Sequence, residues 1–283
     1  MVDRLSVLCF AGTYALALAN DLARSFARWP GRRFATLGLT ALGWIVQTAY
    51  LGNWLWRSGE LPTASVFGSL LVLSWVLVGI GLYLTARAPQ GVAVGVFFLP
   101  VALVLLSIAG LLPRVEWTTP RGWVALWGPV HGLMLLGGAV ATCVAFATGL
   151  MYLAQSHRLK RKRPPRLNFA LPSLEQSERW NRAAITAAFP LLTFGLLIGV
   201  GLVAATQHAG AALLKWSDPK IISTAALWLV YAALVHARFR PEMRGTRVMT
   251  LTILAFGFLL FTLVGVDLLL PTAHGVPHDG RQP

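Results

Sequence analysis

Three histidines of this apolar chain, His131, His236 and His274, are the residues best suited to chemistry. His131 and His236 lie within predicted membrane spans, and His274 lies just beyond the span that ends at Leu270. A histidine within the hydrocarbon layer is costly unless its ring is paired with a polar group or ligates a metal. Imidazoles placed in this way suggest axial ligation of a flat, apolar cofactor.

Each histidine also has a structural interpretation. His131 and His236 could form hydrogen bonds to a hydroxyl or carbonyl within a helical bundle, and His131 and His274 could be unrelated residues at the membrane rim. In that case the sequence sets no distance between them. If His131 and His274 are instead ligands of one group, we expect them to lie at similar depth, because Pro271 stops the last span at the same membrane face.

A short polar segment, Trp216-Ser217-Asp218-Pro219-Lys220, opens the span that holds His236. Trp216, together with Trp123 and Trp127, could form an apolar wall for a ligand or anchor the helices at the membrane interface. Asp218 is followed by a proline, which is typical of a helix start with the acid at the N-cap. Both interpretations remain open for Asp218.

Composition places the chain in a membrane. Hydrophobic residues make up 56% of it, charged residues 12%, and mean hydropathy is +0.66. A membrane-spanning helix needs about 20 mainly apolar residues. Eight stretches qualify: 3–20, 34–55, 66–86, 91–112, 123–154, 181–206, 220–238 and 247–270. We therefore expect an all-α integral membrane protein, a bundle of about eight transmembrane helices in a single polytopic membrane domain, 1–283.

The net charge of +14 would suggest a nucleic-acid partner in a water-soluble protein. Here the placement of the basic residues gives a simpler account, because short cytoplasmic loops retain lysine and arginine. Seventeen of the 24 lysines and arginines fall in alternate loops, 20–33, 86–90, 155–182 and 237–247. This pattern predicts that both termini face outward, and it favours contact of loop 155–182 with anionic membrane lipid.

Several motifs carry a resemblance to a known family. They are Trp180-Asn181-Arg182, the run 189–199, W-S-D-P-K at 216–220, L-V-H-A-R-F at 234–239 and G-V-D-L-L-L-P-T-A-H-G at 265–275. With the order of the three histidines, they resemble the CcsA/HemX-type cytochrome c assembly family. The resemblance is strongest over 120–275.

The resemblance implies a haem-handling protein of cytochrome c maturation in the bacterial inner membrane, at most one component of a cytochrome c haem lyase complex. Haem b would be bound non-covalently, with His131 and His274 as outer axial ligands and His236 as the intramembrane histidine. Trp123, Trp127 and Trp216 would wall the ring, and Asp218 and Lys220 could meet its propionates. The implied partners are a membrane protein of the CcsB type and apocytochrome c.

The chain also departs from the family pattern. The loop before Trp216 lacks the family's other tryptophans, and Ile221 stands where an acidic residue is expected. This departure favours a second function, a HemX-like regulatory or scaffold protein of haem biosynthesis or complex assembly that does not retain haem. The three histidines favour haem handling.

His236 requires a site of its own. It lies sixteen residues past Lys220, or about 24 Å along a helix, which is too deep to share a ligand with His131 or His274. We therefore expect a second, inner haem position, whose opposite ligand comes from a partner chain or from His157. The structural alternative is a histidine hydrogen-bonded within the bundle near the inner interface.

Overall fold

The chain folds as a bundle of helices, which confirms the predicted class. A computed structural model describes residues 2–23, 31–59, 62, 65–89, 92–112, 123–162, 170–208, 216–239 and 245–270. The helices are α1 Val2–Leu22, α2 Arg32–Ser58, α3 Val66–Arg87, α4 Gly95–Leu111, α5 Trp123–Lys160, α6 Leu174–His208, α7 Pro219–Phe239 and α8 Thr246–Leu269. The helix α8 includes a π-helical turn, Phe261–Gly265.

The helices are those of a multi-pass membrane protein. Within the described residues, α2, α3 and α5 to α8 are long and apolar enough to cross a membrane, and Val7–Leu22 and Gly95–Leu111 are shorter apolar helices. The eight predicted spans thus correspond to eight helices.

Two helices run further than their apolar stretches. The sequence places the ends of the adjoining spans at 154 and 181, but α5 continues to Lys160 and α6 begins at Leu174. The α6 extension has its own local support, because the Ser173 hydroxyl accepts a hydrogen bond from the Gln176 N–H at 3.1 Å, as an N-cap does. Arg179 also pairs with Glu175 one turn away at 3.1 Å, a spacing that supports isolated helices.

The fourth helix, in contrast, begins later than expected. The predicted span starts at 91, but the Ala93 N–H donates to the Ala170 carbonyl at 3.0 Å, and α4 starts only at Gly95. Val92 and Ala170 form a parallel bridge. This short contact ties the connection before α4 to the connection before α6.

The helices form two groups of four. The first four pack on one another as α1 with α2 and α4, and α3 with α2 and α4; the last four pack as α5 with α6 and α8, and α7 with α6 and α8. Contacts of α5 with α3 and α4 join the groups. All the described candidate site residues lie in the second group, which we call the C-terminal bundle.

A buried row of hydrogen-bonded side chains links three helices of the first group. The Tyr14 hydroxyl donates to Gln47 Oε1 at 2.7 Å, and Gln47 Nε2 donates to the Ser74 hydroxyl at 2.9 Å. All three side chains are fully buried. Because hydrocarbon offers no water, polar groups there need partners from the protein. These hydrogen bonds therefore set the register of α1, α2 and α3.

The helices α5 and α6 pack closely on each other, and glycines allow it. A Cβ at Gly138 would lie 2.7 Å from Leu192 Cδ2, and a Cβ at Gly195 would lie 2.6 Å from Leu135 Cδ2. Each helix therefore presents a glycine to a leucine of the other. Small residues at such interfaces let membrane helices pack backbone to backbone.

We expect Gly138→Leu to lower stability by at least about 1–3 kcal/mol, the usual cost of overpacking a filled interface. The matched control is Gly201→Leu on α6, where a Cβ meets no atom within 4 Å. Thermal unfolding in detergent measures the stability of both variants. Equal unfolding midpoints for Gly138→Leu and Gly201→Leu would contradict the close packing at Gly138.

Candidate functional site

His131 is held by a backbone carbonyl of the neighbouring helix. Its half-buried ring lies on α5, with Nδ1 2.8 Å from the Gly195 oxygen of α6. A carbonyl oxygen only accepts hydrogen bonds, so Nδ1 must carry the proton. In the neutral ring Nε2 is then deprotonated, which is the form of histidine that binds a metal.

A second glycine also lies against this ring. A Cβ at Gly199 would lie 2.7 Å from His131 Cε1 and 3.1 Å from Nδ1, so the imidazole occupies space that only glycine leaves. Both glycines lie in the run 189–199, which carries part of the family resemblance, but the sequence alone assigns them no role. Their four-residue spacing, typical of close helix contacts in membranes, was the available signal.

The predicted aromatic residues differ in placement. Trp127 is half-buried one helical turn before His131, on the same side of α5. Trp216 is 49% exposed, and its Nε1 donates to Gln207 Oε1 at 3.0 Å, which links the two ends of the α6 to α7 connection. Trp123 is the first residue of α5, and its side chain lies outside the described residues.

Asp218 starts α7, which confirms its interpretation as a helix cap. Its side chain is buried, and Oδ1 accepts the Lys220 N–H at 2.8 Å. The Asp218 carbonyl accepts the Ile222 N–H at 3.2 Å. Pro219 occupies the first helical position, where its missing N–H is not needed.

Lys220 forms an ion pair that sequence reasoning missed. Its Nζ lies 2.6 Å from Asp267 Oδ2 and 2.8 Å from Oδ1, and the two side chains are 20% and 19% exposed. An acidic residue within an otherwise apolar span was the signal, because such residues usually have partners. The partner itself could not be identified from spacing, since the two residues are 47 positions apart.

His131 and Lys220 lie at the same depth in the C-terminal bundle. The Tyr231 hydroxyl of α7 donates to Thr142 Oγ1 of α5 at 2.6 Å, which sets the two helices level at that point. His131 precedes Thr142 by eleven residues, and Lys220 precedes Tyr231 by eleven, or about 16 Å in each case. We call this the outer end, following the expected topology.

His236 lies toward the opposite end. It follows Tyr231 by five residues, which puts it about 24 Å in depth from His131, and its side chain is exposed. His157 lies about 15 Å deeper still by the same alignment. That difference in depth argues against His157 as the ligand opposite His236.

His274, the other expected outer ligand, lies outside the described residues, so its separation from His131 stays a prediction. Within the described ranges, no group of three or more His, Cys, Asp or Glu could hold a metal ion. Axial ligation of haem iron requires only one or two imidazoles. The described residues therefore offer His131 at the outer end and His236 at the inner end as single candidate ligands.

Comparison with known proteins supports the family resemblance. The family model described as Cytochrome C assembly protein matches residues 63–274, most of the chain. The chain belongs to this family. The match includes all three histidines, and it begins well before residue 120, where the motifs alone placed the strong resemblance.

Relatives of this cytochrome c assembly protein include CcsA proteins and HemX proteins. The chain is 28% identical to the cytochrome c biogenesis protein CcsA of Guillardia theta, with 82% of each chain covered. It is 26% identical to CcsA of Thermosynechococcus vestitus over 92% of each. It is 24% identical to the protein HemX of Bacillus subtilis, over 73% of this chain and 74% of that protein. No solved structure matches the chain.

The cap role of Asp218 is tested by two substitutions. Asparagine caps helices about as well as aspartate, whereas alanine costs about 1 kcal/mol. We therefore expect Asp218→Asn to keep the thermal stability of the protein and Asp218→Ala to lower it. Melting curves in detergent measure the difference. A loss as large for asparagine as for alanine would mean that the negative charge itself is required.

Proposed function

We propose that this cytochrome c assembly protein binds haem at the outer end of its C-terminal bundle and delivers or exports it to the outer membrane face, for attachment to apocytochrome c. The observation that carries the proposal is the 2.8 Å contact of His131 Nδ1 with the Gly195 carbonyl. This contact fixes the ring and the tautomer. His274 is proposed as the second axial ligand.

The residues at this end suit haem. His131 offers an oriented, neutral imidazole, and the half-buried Trp127 lies one turn away. When bound, haem supplies an iron that takes imidazole nitrogens above and below the ring and whose potential depends on their basicity and hydrogen bonds. The Gly195 carbonyl accepts the Nδ1–H of His131 and so orients the ring, as partners of metal-bound histidines generally do.

We infer an inner haem position at His236, because its exposed imidazole lies at a depth that His131 does not reach. Its opposite ligand would come from a partner chain, proposed to be a membrane protein of the CcsB type. The relatives named as CcsA proteins support a place in cytochrome c biogenesis. The bacterial inner membrane, with both termini outside, is the proposed location.

A second function is favoured by one feature of the outer end. The family's tryptophan-rich loop is represented here by Trp216 alone, and the Trp216 indole is engaged by Gln207. Similarity to the HemX protein of Bacillus subtilis fits a regulatory or scaffold role. In that case the same helices would serve protein contacts, and the purified chain would carry no haem.

The haem content of histidine variants separates the two functions. We expect the full chain, purified in detergent from haem-replete cells without the partner chain that would complete the inner site, to show a Soret band that falls about tenfold in His131→Ala, since loss of even a hydrogen-bonding partner of a metal ligand costs about 10–100-fold in affinity. His157→Ala is the matched control, because His157 is an exposed histidine on the same helix.

Absorbance spectra normalised to protein concentration give the result. Equal Soret bands in His131→Ala and in the unaltered chain would contradict the proposed ligand. Absence of haem from the unaltered chain would favour the regulatory or scaffold function.

A further inference from the structure

The side chain of Arg238, in the last turn of α7, is buried against α6. It is 6% exposed, Nη2 donates to the Glu178 carbonyl at 2.9 Å, and Nη1 donates to the Asn181 side-chain oxygen at 3.3 Å. The Glu178 carboxylate lies 3.7 Å from Nη2. All these contacts are with α6, so the guanidinium ties the inner end of α7 to that helix.

Asn181 carries the connection on to α5. Its side chain is fully buried, and Nδ2 donates to the Ala145 carbonyl at 2.7 Å. A carbonyl only accepts hydrogen bonds and a guanidinium only donates them, so the amide satisfies both partners in a single orientation. One asparagine therefore links α5, α6 and α7 at the inner end of the C-terminal bundle.

These contacts involve two motifs that the proposed outer site does not use. Asn181 belongs to the motif at 180–182, and Arg238 belongs to the motif at 234–239. The second motif also contains His236, the candidate inner ligand. The structure joins the two motifs through the hydrogen bond between Asn181 and Arg238.

The same contacts determine the direction of His236. Successive residues of an α-helix are turned by about 100°, so His236 and Arg238, two positions apart, lie on nearly opposite sides of α7. Arg238 faces α6, and His236 is exposed. Rotating α7 by one residue would break the Arg238 contacts and bring His236 to the place of Val235, which is half-buried, or of Ala237, which is buried.

Neither topology nor stability requires this arginine to be buried. An arginine that only marked the inner membrane face could extend its charged group into water. Here Glu178 Oε1 is 3.7 Å away, beyond hydrogen-bonding distance, and Arg238 Nε is buried with no hydrogen-bond partner among the described residues. Both features make the burial costly. The planar guanidinium does, however, require acceptors in fixed directions, and so it specifies one rotation of α7.

We propose that Asn181 and Arg238 are positioning residues, which hold α7 in the rotation that turns His236 out of the bundle for ligation of the inner haem. This inference rests on the proposed function, in which a partner chain supplies the opposite ligand. The apolar contacts of α7 do not fix its rotation in the same way, because hydrophobic attraction has no preferred direction.

Binding of haem b to the full chain in detergent tests this role, with imidazole added in place of the partner's ligand. All variants carry His131→Ala and His274→Ala, so that the outer position does not contribute. In this background we expect His236→Ala to abolish the saturable low-spin spectrum. Arg238→Met and Asn181→Leu are each expected to weaken haem binding about tenfold, the lower end of the range for residues that orient metal ligands.

Two further substitutions separate positioning from a general loss of structure. Asn181→Asp keeps an oxygen for Arg238 and loses only the donor to Ala145, so we expect it to bind haem as the background does. Arg238→Lys keeps the charge but not the planar group that meets two acceptors. It is a milder change than Arg238→Met, and we expect it to weaken haem binding as well.

Arg247→Met is the matched control, because Arg247 is an exposed arginine in the first turn of α8. It removes one positive charge from the inner end and is expected to leave haem affinity unchanged. Melting curves of all variants report stability separately. If Arg238→Met, Arg238→Lys and Asn181→Leu lower only the melting temperature and keep the haem affinity of the background, the positioning role is overturned.

The inference and the proposed inner position fail in different ways. Equal haem binding in His236→Ala and in the background contradicts the inner position itself, whatever the Arg238 variants do. Loss of haem binding in His236→Ala together with full binding in Arg238→Met and Arg238→Lys contradicts the positioning role alone.

Discussion

A polar group inside a lipid bilayer has to find its partner within the protein, because hydrocarbon offers no hydrogen bonds. In this chain that constraint sets how the helices meet. The Tyr14 and Gln47 pair fixes α1 against α2, the Tyr231 and Thr142 pair fixes α7 against α5, and the Arg238 guanidinium fixes α7 against α6 by donating to the Glu178 carbonyl at 2.9 Å. The apolar surfaces between these points then pack with the register that the polar contacts define.

The candidate haem site follows from the same constraint. His131 would be costly in the membrane without a partner, and α6 supplies one through the Gly195 carbonyl. The glycine at 199 removes the side chain that would collide with the ring. The hydrogen bond that gives His131 a polar partner also leaves the ring in the tautomer that binds iron. The structural interpretation of His131 and the functional one are therefore compatible.

Hydropathy alone predicted the class and the eight helices, because the length of an apolar run is set by the thickness of the membrane. It did not predict the helical extension before 181, which depends on the Ser173 cap and the Glu175 to Arg179 pair. The partner of His131 was also not predicted, because the four-residue spacing of Gly195 and Gly199 indicates a close helix contact but not which residue it faces. The ion pair between Lys220 and Asp267 could not be predicted, because it depends on tertiary packing and on the π-helical turn. The periodicity of the sequence reveals neither.

His131 and one other outer histidine, His274, are proposed to ligate the same haem. The distance between their α-carbons in an experimental structure of the haem-loaded chain tests this proposal. Iron to imidazole bonds of about 2 Å on each side of the ring place the two backbones on the order of 12 Å apart. A separation above about 20 Å, or a helix packed between the two histidines, would contradict the shared site, because no haem could then be ligated by both.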